Sequence, residues 1–268
     1  MQIALLQSVA KILDIDANLD TLEEAARRAK ENGADLLLTP ELFTCGYSPD
    51  LVRANVTAAD LEEIDNGAAS IARRHDISLV YSAPRITVEE RWHISATLLD
   101  AAGDKLLAYD KVHLFGEEEQ RTFSAGSHGP TAVTHGGLRI SLLICYDVEF
   151  PESVRAASEQ GAELVLVPTA LGTGFAAVSH VLIPARALES QVVVAYANHC
   201  GTEGGLLMGG ESVVAAADGS LLAHAGEGPT MLYASVEPAA ISSARERVPY
   251  LRDRRPELYV RWNGLSGS

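Results

Sequence analysis

The chain has 268 residues, 47% of them hydrophobic, and a formal net charge of −15. That length accommodates one large domain or two small ones, and the apolar share is enough to bury a core rather than stay disordered. The acidic balance argues against nucleic acid or an anionic membrane as a partner. Cysteine is sparse and odd in number, at Cys45, Cys145 and Cys200, which suits free thiols in a reducing cytoplasm rather than a disulfide framework.

In chain order, Met1 to Leu6 reads as the first strand. No basic segment precedes it and no small-residue cleavage site follows, so no signal peptide is expected. No apolar run approaches the length of a membrane span. Residues 19–32, "LDTLEEAARRAKEN", have helical composition, with Gly33 as the C-terminal stop. Leu36 to Leu38 then reads as a strand that ends at Pro40, followed by Glu41 in "TPELFTCGY". Lys111 lies in "LLAYDKVHLFGEEEQRTF". A later apolar strand, "RISLLI", stops at Cys145 in "LLICYDVEFPE", and the residues after Pro151 read as a helix with an acidic first turn and Gly161 at its end. "GTEGGLLMGG" (201–210) reads as a loop, because it lacks the strand-to-helix context of a dinucleotide motif. No linker, charge block or low-complexity tract divides the chain, so residues 1–268 read as a single domain. Alternating strands and helices imply an α/β layered fold.

Three echoes recur in the same order. "GADLLLTPELF" from Gly33 matches "GAELVLVPTAL" from Gly161, and "YSAP" at Tyr81 matches "YANH" at Tyr196. "DAAGDKLLA" (100–108) matches "AAADGSLLA" (215–223), each a hairpin turn, around Gly103 and Gly219. Shared α/β composition can produce one such echo; three in order point to an internal duplication. The architecture expected is a four-layer α-β-β-α sandwich with internal two-fold pseudo-symmetry. In this alignment Glu41 corresponds to Thr169, so the carboxylate belongs to one copy alone.

Cys145 falls on a strand-to-helix turn, where a nucleophile is exposed and the following N–H groups can face a developing oxyanion. The ordinary role of a free cysteine is a small buried hydrophobe, and position alone leaves both readings open. Glu41 sits among apolar and aromatic residues, which raise a carboxylate's pKa and suit it to base catalysis; a solvated glutamate at a strand end is the commoner case. Lys111 could be an edge-strand solubility device. Its neighbours Tyr109, Val112 and Leu114 instead suggest a buried stem and a cation able to hold an anion.

Together, "PEL" at Glu41, "YDKVHLF" at Lys111 and "LLICYDVEFPE" at Cys145 resemble the nitrilase superfamily of carbon–nitrogen hydrolases. The order and spacing agree, and "GAELVLVPTA", "ARALESQVVVAYANHCG" and "YLRDRR" extend the resemblance over nearly the whole chain. It implies an α-β-β-α sandwich without metal or organic cofactor. It further implies that Cys145 is the nucleophile, Glu41 the general base and Lys111 the third triad member. A fourth, substrate-positioning glutamate follows the lysine in this family; of Glu117, Glu118 and Glu119, counting back from "FSAG" (123–126) selects Glu119. Many members carry arginine where this chain has Glu149; "CYDVEFPE" is similar to aliphatic and stereoselective amidases of the superfamily.

The implied reaction is amide hydrolysis. Glu41 takes the thiol proton as Cys145 attacks, Lys111 and the Tyr146 N–H hold the oxyanion, and ammonia leaves a thioester that water hydrolyses with help from Glu41 and Glu119. Asp147, Glu149 and Glu152 are assigned to the turn, the pocket wall and the helix start. Tyr47, His113, Tyr146, Glu149, Thr169, Ala170 and Leu171 are candidate substrate-binding residues, with Phe175 beside them and Asn198 as a further wall residue. His113 should share a face with Lys111 if that piece is extended. Cys45 and the His199–Cys200 pair read as core or wall. The eight histidines show no paired metal-ligand spacing, so no metal site is expected.

No arginine follows the nucleophile's wall segment until Arg186, so the substrate expected is a small uncharged aliphatic amide. The alternatives are an ω-amidase of the 2-oxoglutaramate type, an N-carbamoyl amidohydrolase, or, outside catalysis, an idle member that serves binding or assembly. The resemblance also implies a homodimer or larger homo-oligomer.

Overall fold

The computed structural model describes residues 1–262. The first half supplies strands β1 (Gln2–Gln7), β2 (Leu36–Leu38), β3 (Ser78–Ile86), β4 (Trp92–Leu99) and β5 (Lys105–Asp110). The second supplies β6 (Ala132–His135), β7 (Leu138–Leu142), β8 (Leu164–Thr169), β9 (Val193–Asn198), β10 (Cys200–Glu203), β11 (Leu206–Gly209), β12 (Val213–Ala215) and β13 (Leu221–His224). The last strand, β14 (Thr230–Ser235), returns to the first half and pairs antiparallel with β1.

Two six-stranded sheets result, in the orders β14-β1-β2-β3-β4-β5 and β6-β7-β8-β9-β12-β13. In each, three parallel strands are followed by an antiparallel hairpin on one side and closed by an antiparallel strand on the other. The orders superpose term by term, and all three sequence echoes fall on equivalent elements: β2 with β8, β3 with β9, and the β4–β5 turn with the β12–β13 turn. Gly103 and Gly219 head those turns at φ of +79° and +81°, which a side chain resists. The inner parallel strands are continuous apolar runs, with β2, β8 and β9 buried at every residue. That is the pattern of strands covered on both faces.

The helices form the outer layers. Helices α1 (Ile15–Glu31) and α3 (Ala58–His75), with the short α2 (Pro49–Asn55) between them in sequence, cover the first sheet. After α4 (Gly116–Thr122), helices α5 (Pro151–Glu159) and α6 (Ile183–Ser190) cover the second. The first helix begins at Ile15 rather than residue 19, because Asp14 caps it by accepting from the Ala17 N–H at 3.2 Å. The expected loop at 201–210 is largely the β10–β11 hairpin, turned at Gly204 and Gly205, both at positive φ. The run of three glutamates forms the first turn of α4.

Chain direction decides where chemistry can gather. The C-terminal ends of β2, β5, β7 and β8 deliver residues 41, 111, 145 and 169–171, respectively. In sheets with parallel strands, that end is where crevices form.

Candidate active site

Glu41 follows β2 and Pro40 and is fully buried. Its backbone N–H donates across the sandwich to the Thr169 carbonyl at 3.2 Å. The Lys111 ammonium donates to Glu41 Oε1 at 2.7 Å and to Glu119 Oε1 at 2.8 Å, with all three side chains out of solvent. Lys111 follows the last residue of β5, on the edge of its sheet, yet its side chain has no exposure at all. A buried cation must be paired, and the two carboxylates fulfil that condition. Glu119 is the buried residue of α4; it also accepts from the Tyr47 hydroxyl at 2.7 Å and from the Phe115 N–H at 2.7 Å. Glu117 and Glu118 stay exposed.

Cys145 opens a short 3-10 turn (Cys145–Glu149) between β7 and α5 and holds a φ of +46°. Left-handed backbone in a non-glycine residue costs about 1–2 kcal/mol. It is tolerated here because the turn is pinned from several sides, and it presents the thiol at the sharp bend. The thiol lies 3.9 Å from the Ala170 carbonyl. Glu41 Oε2 is buried and meets no hydrogen-bond partner among the described residues, and the neighbouring Cys145 thiol acts to lower the carboxyl's pKa.

The electrostatics follow from burial. Desolvation pushes the Glu41 carboxyl up to about 7; the Lys111 charge opposes this and the like charge of Glu119 adds to it. Burial would lower the Lys111 ammonium, but Glu41, Cys145 and Glu119 outweigh it, so its pKa is raised. The Cys145 thiol is pushed well above its ordinary value, first by burial and then by the Glu41 charge, against Lys111. The resting state is therefore a protonated thiol beside a carboxylate poised near neutrality and a permanent cation.

Asp147 is the strut beneath the nucleophile. It is buried and accepts from the His113 N–H at 2.8 Å, the Tyr109 hydroxyl at 3.0 Å and the Ile144 N–H at 3.3 Å, and it pairs with His113 Nδ1 at 2.8 Å. The lysine segment and the cysteine turn are thereby fastened together. His113 does not share a strand face with Lys111, because β5 ends at Asp110. Its ring stacks on Phe150 at 4.0 Å between centroids, and Tyr146 meets both Phe150 and Phe115 edge-on. Glu149 is half-buried, and desolvation raises its carboxyl against the pull of Arg186 and Lys111. Glu152 lies exposed in the first turn of α5.

Arg186 is engaged at the turn that carries Cys145. Its guanidinium donates to the Val148 carbonyl at 3.1 Å, the Glu149 carbonyl at 2.6 Å and the Glu189 carboxylate at 3.0 Å. It braces the turn that carries Cys145.

The wall opposite is Thr169, Ala170 and Leu171, all buried, with Phe175 exposed beyond them. Asn198 clamps it, accepting from the Leu171 N–H at 2.8 Å and donating to the Leu171 and Gly210 carbonyls at 3.1 and 2.8 Å. His199 has a closer connection to the site. One ring nitrogen lies 2.6 Å from the Glu41 carbonyl and the other 2.6 Å from Glu203, both side chains fully buried. Glu203 also accepts from the N–H groups of Ala10 and Tyr47. Sequence reasoning missed Glu203 because it hides in a glycine-rich segment. A lone carboxylate among glycines at the end of a strand was the available signal. Cys45 is buried and its thiol is pushed up to about 12 by that burial, in keeping with an inert core role.

The carbon–nitrogen hydrolase family profile matches residues 2–246. A curated hydrolase encoded in the pqqF 5' region of Pseudomonas protegens is 40% identical over 97% of this chain and 90% of its own length. An (R)-stereoselective amidase of a Pseudomonas species is 31% identical over 95% of this chain and 92% of its own. Among solved structures, an amidase from Nesterenkonia sp. has a TM-score of 0.92 at 45% identity, covering 98% of this chain and 96% of the other.

Proposed function

The chain belongs to the carbon–nitrogen hydrolase family and is an amidase, and we propose that its substrates are small, uncharged aliphatic amides. The products are the carboxylic acid and ammonia, formed through a thioester on Cys145. The observation that carries the substrate class is the position of Arg186. Its donors are occupied by the nucleophile turn and by Glu189, and the wall from Thr169 to Phe175 contains no cation. A substrate carboxylate would lose its hydration and gain no partner there, and the half-buried Glu149 would repel it. Variants of the Nesterenkonia amidase have been solved with butyramide bound, and with the acetamide moiety of fluoroacetamide attached to the active-site cysteine. Both are small and uncharged, which supports the same class here.

Glu41 accepts the thiol proton as the sulfur attacks the amide carbon. Transfer during attack is required because the free thiol has too high a pKa to ionise on its own. A base poised near neutrality suits that task. Lys111, always charged, faces the oxygen that becomes negative, and the first N–H groups of the Cys145–Glu149 turn, which have no intrahelical partner, add donors. Glu41 then returns the proton to the departing ammonia, and the same carboxylate activates water against the thioester. Glu119, fixed by Tyr47, Phe115 and Lys111, holds the amide nitrogen and later the water.

An idle binding member would have no cause to retain a paired, fully buried Glu41, Lys111 and Glu119, whose desolvation is costly. The proposed reading includes a homodimer in a reducing cytoplasm. The three unpaired thiols support the compartment, and light scattering tests the mass. No helix among the described residues is long and apolar enough to cross a membrane. Ammonia release from propionamide against 2-oxoglutaramate tests the substrate class. Faster turnover of propionamide is expected, and the opposite ranking would replace this reading with an ω-amidase.

A further inference from the structure

We propose that His180, Glu211 and His224 form a binding site for one divalent transition-metal ion of the zinc class, outside the amidase centre. No two histidines have a metal-ligand spacing along the chain, and the sequence alone offered no such site. Folding brings these three together from separate segments. Their ligand atoms all lie within 4.8 Å of one another.

The placement has an identifiable origin. Val213 on β12 pairs with His224 on β13, and the Glu211 N–H donates to the Gly226 carbonyl at 3.1 Å. Glu211 therefore precedes the hairpin diagonally across from His224, within reach of a long side chain. His180 arrives from the other direction, on the π-helical turn Val178–Leu182 that leads into α6. Its Nε2 stands 3.1 Å from Glu211 Oε1, and its ring meets that of His224 edge-on at 5.0 Å between centroids.

Two imidazoles and one carboxylate are a donor set for zinc and its neighbours, with ligand bonds of about 2.0–2.2 Å. Ligand atoms around such an ion stand about 3.3 Å apart, so the observed group needs only side-chain rotation to close. His180 and His224 are exposed and free to rotate, while Glu211 is the more anchored member. The remaining coordination positions face solvent and would hold water.

The site would also act on the amidase wall. Gly210, beside Glu211, accepts from Asn198, which in turn holds Leu171. His180 lies on the Val178–Leu182 turn, which follows Phe175 in the chain. An ion bridging His180 to Glu211 would staple the two strips that bound the wall, and so stabilise the folded chain by mass action.

The test is isothermal titration of Zn2+ alone into the full-length, untagged, chelator-stripped Cys145→Ala protein, so that the nucleophile cannot serve as ligand. One ion per chain is expected, with micromolar or tighter affinity at pH 7.5 and a rise in melting temperature on addition. Affinity should fall at least about tenfold in His180→Ala and in His224→Ala. It should vanish in the double variant and weaken toward pH 5.5, where protons compete for the imidazoles. Circular dichroism checks that each variant is folded. Failure to saturate, or equal binding by the folded double variant, would overturn the proposal. The double variant with Cys145 intact should keep its propionamide activity in the absence of metal, since neither histidine touches the amidase centre.

Discussion

The backbone N–H of Glu41 donates to the carbonyl of Thr169, and these two residues occupy equivalent positions in the two halves of the fold. The contact joins the halves where their equivalent strands end. One copy contributes the base and the other a wall, so the duplication yields a single asymmetric site. It also fixes the Glu41 main chain while leaving Oε2 without a hydrogen-bond partner among the described residues.

The first prediction concerns that carboxylate. Its pKa is raised to about 7, so below pH 7 Glu41 holds its proton and cannot take another. kcat/KM should fall about tenfold per pH unit on the acid side. Glu41→Gln should lower kcat by about 10²–10⁴-fold and abolish that limb of the profile. A variant that kept the limb would assign it to another group.

His199 and Glu203 make a second case. His199→Ala removes the contact to the Glu41 carbonyl and leaves Glu203 short of a partner. Displacing a catalytic group by a fraction of an ångström can cost up to about 10²-fold in rate. kcat should drop on that scale with KM little altered, and the acid limb near pH 7 should move. Glu203→Gln, which keeps the shape but loses the charge, should have a smaller effect of the same kind. Unchanged kcat in both variants would reduce the pair to core packing.

Asp147 carries the third. Asp147→Ala orphans the His113 and Ile144 N–H groups and the Tyr109 hydroxyl. Each buried donor without a partner costs about 1–3 kcal/mol, so the melting temperature should fall by well over 5 °C on the scale of about 2–4 °C per kcal/mol for a domain of this size. Wild-type melting would show that the strut is dispensable.

Arg186→Met separates bracing from recognition. Losing two donors to the turn carbonyls should lower kcat and the melting temperature together. The preference for propionamide over 2-oxoglutaramate should stay the same. A change in that ratio by tenfold or more would mean that the guanidinium does meet the substrate.

Much of this was legible before folding, for physical reasons that can be named. The inner strands are continuous apolar runs because both their faces are covered, so β2, β8 and β9 can be found by eye, and the echoes between them mark the duplication. Cys145, Glu41 and Lys111 stand shortly beyond the ends of β7, β2 and β5, where local motif and position coincide. Glu119 could be chosen among three glutamates only by spacing, and its burial follows from the helix α4 that the glutamate run forms.

The sequence by itself determined the layered α/β fold, the repeat, and the residue types that can serve as nucleophile, base and cation. Only the tertiary structure decided their electrostatic state, because pKa values depend on burial and on partners distant in sequence. It also decided that Arg186 donates to the turn carrying Cys145, that His199 bridges the Glu41 carbonyl and Glu203, and that His180, Glu211 and His224 meet. Each of those depends on which residues from separate segments come within about 3–5 Å, and side-chain contacts of that kind leave no period or spacing along the chain.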